Sequence, residues 1–75
     1  MSTYYVSETQ DRHSSRIANA IRAANLTSAK RMATRAKLYQ GTVLKIGARI
    51  DEQGYIPDDA LLSIQEEGRW YDVDN

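Results

Sequence analysis

The chain has 75 residues and no cysteine. A disulfide framework, a thiolate zinc site and a cysteine nucleophile are therefore excluded, and stability must come from packing alone, as suits a reducing cytoplasm. Long apolar runs are missing as well. None approaches the roughly 20 residues needed to cross a bilayer, and "MSTYYVSETQ" has neither the basic nor the apolar region of an export signal. The sequence reads as a soluble protein that is not exported. On that reading the sequon-like "NLT" of Asn25 to Thr27 marks the start of a helix. Glycine is sparse, and Gly41, Gly47, Gly54 and Gly68 lie too far apart to form a phosphate-cradling loop or a dinucleotide fingerprint. No nucleophile elbow accompanies the many serines and threonines. So short a chain forms a single domain, 1–75, whose core only just offsets the entropy of folding and leaves little room for an active-site cavity. The expectation is a protein that is not an enzyme and needs no cofactor.

Net charge is also absent, but only in the sum. Residues 1–11 carry −2, residues 12–49 carry +9 with no acid among them, and residues 50–75 carry −7. Such sorting bears on partners and steering more than on fold. One reading is internal: the acidic third folds back and neutralises the basic middle. The other is that part of the cationic surface awaits an anionic partner.

Residues 3–8, "TYYVSE", are aromatic and β-branched and read as a short strand, followed by the polar turn "TQDRHSS". "SRIANAIRAAN" is ambiguous. Ile17, Ile21 and Ala24 repeat at helical spacing, Ile17, Asn19, Ile21 and Ala23 at strand spacing, and propensity leans slightly to helix. From Thr27, read as the N-cap, Ala29, Met32, Ala33 and Ala36 form an apolar stripe, with Leu26 stapling the entry and Gly41 placed to end the helix. "GTVLKIGARI", "ALLSI" and "RWYDV" read as strands, separated by turns at "DEQGY", "IPDD" and "EEGR". One helix on an antiparallel sheet follows, an α+β fold.

Most candidate chemistry reads as structural. His13 is a lone histidine in a polar turn, and the adjacent carboxylates Asp58/Asp59 and Glu66/Glu67 lack metal-ligand spacing and read as solvated turn charges. Trp70 and Tyr71 could stack bases, but Trp70 is better spent in a small core. What remains is cationic. Lys30, Arg31, Thr34, Arg35 and Lys37 fall on the polar side of the predicted helix, and the charge continues in sequence to Lys45 and Arg49. Clustered cations of this kind are the footprint of phosphate-backbone contact.

The same stretch carries a resemblance. "LTSAKRMATRAKLYQGTVLKI", followed by a glycine turn and "GRWYDV", resembles a family of small phage anti-CRISPR proteins that includes the type I-F inhibitor numbered nine. Its pattern is Leu-Thr-x-Ala-Lys-Arg, then Gln-Gly-Thr-Val, then Gly-x-x-Trp, and it spans Ile21 to Val73 here. The resemblance implies about five antiparallel strands crossed by one helix in the order ββαβββ, which makes "SRIANAIRAAN" the second strand. It implies that the chain, phage-encoded and acting in the bacterial cytoplasm, binds the backbone subunits of a type I CRISPR surveillance complex. There it would obstruct the groove where guide RNA pairs with target DNA, and promote nonspecific duplex DNA binding. Carried over by position, Lys30, Arg31, Arg35 and Lys37 are the contact residues. Lys37 replaces a polar uncharged residue, and "GARIDEQGYIPDDALLSI" replaces a shorter turn and strand. The acidic C-terminal third is suited to meet groove lysines as a partial phosphate mimic. The alternative is a small phage nucleic-acid-binding or regulatory protein that sets the same basic helix, with Lys45, on the phosphate backbone.

Overall fold

The strand that propensity would have drawn as a helix is a strand. A computed structural model describes residues 1–73; Asp74, counted in the acidic third, lies outside them. Five strands form one antiparallel sheet: β1 (Ser2–Thr9), β2 (Asn19–Ala23), β3 (Val43–Gly47), β4 (Leu61–Glu66) and β5 (Arg69–Asp72), in the spatial order β2-β1-β3-β4-β5. The one α-helix, α1 (Leu26–Ala36), joins β2 to β3 across one face. β2 is one of the two edge strands, paired with β1 so that Ile21 lies opposite Tyr4 and Ala23 opposite Ser2. Edge position explains its weak signal, because only one of its two backbone rims needs a partner and few of its side chains reach the core.

Register decides which side chains meet the helix. Val6 pairs with Ile46 and Glu8 with Leu44, and Leu44 pairs in turn with Gln65. Directly paired residues share a face. The helix side therefore carries Tyr4, Val6, Ile21, Leu44, Ile46 and Trp70, which pack with Ala23, Ala29 and Ala33 into the core. Ala29 and Ala33 are buried, and with no bulk beyond Cβ they bring the helix close to the sheet. Met32 and Ala36, assigned by spacing to the same stripe, are exposed.

The opposite face is covered without regular structure. Residues 10–18 and 48–60 lie over it as two loops, tied to each other by the Ala18 N–H donating to the Gly54 carbonyl at 2.9 Å. Ser7 fixes the first loop through its hydroxyl to the Arg16 carbonyl. The second loop presses Ile56 against Gly47, where a Cβ would collide with that side chain. Pro57 leads into a 3₁₀ turn, Asp58–Ala60, as the "IPDD" turn signal suggests. The β4–β5 hairpin turns on Glu67 and Gly68, both at positive φ (53° and 79°), as a two-residue hairpin loop requires.

Both ends of α1 differ from their expected position. The N-cap is Asn25, not Thr27: its side chain accepts from the Ser28 N–H at 2.9 Å, satisfying an orphan amide of the first turn. The helix stops at Ala36, before Gly41. The Leu38 and Tyr39 amides, which a longer helix would donate to Thr34 and Arg35, donate instead to the Glu8 carboxylate on β1, at 2.9 and 3.0 Å. Gly41, at φ 75°, serves the loop that follows.

Candidate partner-binding surface

Four of the five predicted contact residues stand on or beside α1, and they are not equivalent. Arg31 and Arg35 are exposed and form no ion pair among the described residues. Lys30 is half-buried. Its ammonium donates to the Asp72 carboxylate at 2.6 Å and lies 5.9 Å from the Trp70 ring centre. Asp72 is held below the usual carboxylate range by that bond and by the Ser63 hydroxyl, which also donates to it. Thr34 links the same flank to β4, accepting from the Gln65 amide while its hydroxyl donates to the Lys30 carbonyl. The result is a shallow surface of Lys30, Arg31, Thr34 and Arg35 around the exposed part of Trp70.

Lys37 lies just past the helix as its C-cap, half-buried, and is not among the residues that line this surface. Its charge is felt by Glu8. Burial raises the Glu8 pKa, but the Leu38 amide, the Thr42 hydroxyl, the Tyr39 amide and the Lys37 charge together leave it below its ordinary value.

Lys45 does not continue the basic face. It pairs opposite Ser7 and Ile64 on the loop-covered side of the sheet, and its ammonium donates to the Ser14 carbonyl at 2.8 Å. Burial lowers its pKa, partly offset by Asp58 and Asp11. Arg49 is likewise engaged, in an ion pair with Asp59. Sequence order made Lys45 and Arg49 look contiguous with the helix cations; the sheet separates them.

Other expectations resolve in the same way. Trp70 and Tyr71 point to opposite faces, Trp70 into the edge of the core and Tyr71 under Arg12 at 5.4 Å, so they do not form one stacking platform. His13 is exposed and only its backbone amide is bonded, to Asp11. Of the acids read as solvated turn charges, Asp59 pairs with Arg49 and Glu66 with Arg12 at 3.0 Å. All three ion pairs of the described residues join a cation of the basic middle to an acid of the last third. The fold-back reading thus accounts for Arg12, Lys30 and Arg49, and leaves Arg16, Arg22, Arg31, Arg35 and Lys37 without ion pairs among the described residues. No group of three or more potential metal ligands is found among the described residues, and no helix there is long and apolar enough to cross a membrane.

Among solved structures, AcrIF9 superposes on this fold with a TM-score of 0.81 and 31% sequence identity, covering 99% of this chain and 88% of that one. The chain belongs to the AcrIF9 anti-CRISPR family. The likeness to AcrIF9 extends past the Ile21–Val73 motif span to the first strand and its loop. No family model matches the chain, and no curated protein sequence matches it significantly.

Proposed function

We propose that this AcrIF9-family protein is a non-catalytic phage inhibitor that acts in the bacterial cytoplasm. In this reading it binds backbone subunits of a type I CRISPR surveillance complex and occludes the groove where guide RNA pairs with target DNA. The observation that carries it is the pair Arg31 and Arg35, exposed and without ion pairs among the described residues, on one face of the helix of an anti-CRISPR fold. Lys30, restrained by Asp72 and Trp70, belongs to the same surface, and Lys37 follows at the helix C-cap. Lys45 contributes through the loop it holds rather than by contact.

The test is co-purification with a type I surveillance complex, followed by target DNA hybridisation. Arg31→Glu/Arg35→Glu should lose both binding and inhibition. Absence of binding to any type I complex at low salt would remove the proposal. The nucleic-acid reading keeps one specific support, the aromatic edge of Trp70 among the cations of this surface. It predicts a gel shift with duplex DNA alone, and no shift at low salt would exclude it.

A further inference from the structure

The flank of α1 that faces β1 and β2 has the opposite character to the basic one. Between it, the loop after the helix and the approach to β2 runs an open groove of about 210 Å³. Ile17, Met32, Leu38 and Tyr39 line it, and they are 66%, 39%, 78% and 60% exposed. Single exposed apolar residues need no explanation, but four large ones around one groove do. The volume falls below the ~300–1,000 Å³ of small-molecule sites, and suits one or two protein side chains.

The surrounding charge leaves one cation of the lining without an internal partner. Arg16 lines the groove and forms no ion pair among the described residues, and Lys37 adjoins Leu38. The one carboxylate in the lining, Glu8, is already occupied by the Leu38 and Tyr39 amides and the Thr42 hydroxyl, the last at 2.5 Å. With Glu8 beside Lys37, Arg16 is the cation left free, and apolar walls beside it call for an apolar group accompanied by carboxylate charge.

We infer that this groove is a second docking surface, which receives an apolar side chain flanked by acidic residues on a protein partner. Two other occupants fit less well. A phosphate backbone would leave Ile17, Met32 and Leu38 uncovered. A second copy of this chain, docked groove to groove, would offer Arg16 only the Glu8 carboxylate, which already accepts from the Leu38 and Tyr39 amides and the Thr42 hydroxyl. The inference rests on the proposed binding to a protein complex, and it adds a surface separate from Arg31 and Arg35.

The probe is an immobilised, purified type I surveillance complex, tested against wild type, Ile17→Ser/Leu38→Ser, Arg16→Glu and Arg31→Glu/Arg35→Glu. Circular dichroism melts would establish that each variant is folded, as expected for side chains this exposed. The Ile17→Ser/Leu38→Ser variant should bind at least about tenfold more weakly, as should Arg16→Glu, which leaves the apolar walls intact. If both bind within about twofold of wild type while Arg31→Glu/Arg35→Glu does not bind, the groove has no docking role and the proposed function stands. If wild type binds no type I complex, both readings fall. Sedimentation of wild type as a dimer, lost in Ile17→Ser/Leu38→Ser, would overturn the inference by making the groove a contact between copies.

Discussion

Lys30 and Arg31 are neighbours in sequence with the same formal charge, yet their substitution should have different consequences. Lys30 is committed to Asp72 and Trp70, so Lys30→Ala should lower the melting temperature as well as weaken partner binding. Arg31 makes no such contact, so Arg31→Ala should leave the melt unchanged within error and lower affinity alone; equal melts for the two variants would show that the Lys30 contacts contribute nothing. Glu8 offers a pH-dependent test. Its carboxyl titrates lower in the folded protein than its ordinary value, despite the opposing effect of burial. A carboxylate with a depressed folded pKa contributes its full stabilisation above the unfolded value, about 4.3, and loses it as the pH falls through the lower folded value. Protection of the Leu38 and Tyr39 amides from hydrogen exchange should therefore hold at neutral pH and fade only in acid below that range. In Glu8→Gln, protection should be reduced at neutral pH already; protection equal to wild type would mean that the loop is held by something other than the carboxylate.

At the scale of elements, the helix depends on a cap that its apolar periodicity does not reveal. Asn25→Ala removes the acceptor for the Ser28 amide and should cost about 1 kcal/mol in denaturant unfolding, whereas Thr27→Ala, inside the first turn, should cost much less. The reverse order would return the cap to Thr27. Gly47→Ala should cost about 1–3 kcal/mol, because the added methyl meets Ile56 in a loop tied down at both flanks. Much of the architecture was legible before the fold was known. The helix has clear 3.6-residue spacing, and the three C-terminal strands are separated by turn residues whose backbone needs are specific, as at Gly54 and Gly68. The second strand was not legible from periodicity, because Ile17 and Ile21 satisfy both periods; the family resemblance supplied it. Nor could sequence order place Lys45. Both Val43 and Leu44 on β3 are buried, since loops cover the face that the helix does not, and alternation then gives no clue to which side a lysine faces. The groove was hidden for a similar reason: Ile17 and Leu38 are 21 positions apart in sequence and meet only when β2 folds along β1.

For the molecule as a whole, neutrality conceals a division of labour. The three ion pairs stitch the acidic third to the basic middle and, being surface pairs, add little stability each; most cations of the middle, Arg31 and Arg35 on the helix among them, form no ion pair within the described residues. That residue of charge makes salt the variable that separates the functional readings. Two cations on duplex phosphates release about two counterions, so affinity for DNA alone should fall roughly tenfold between ~50 and ~200 mM salt. A protein complex engaged through both the basic surface and the apolar groove should respond less steeply at equilibrium, because burial of Ile17, Met32 and Leu38 is insensitive to added ions over this range. Salt should then act mainly on the rate of association, where charge steers the encounter. Titrations of wild type against duplex DNA and against a surveillance complex across that range would compare the two slopes directly. Equal slopes would assign binding to phosphate contact alone. A shallower slope for the complex, steepened in Ile17→Ser/Leu38→Ser to match the DNA value, would place the salt-resistant part of the affinity in the groove.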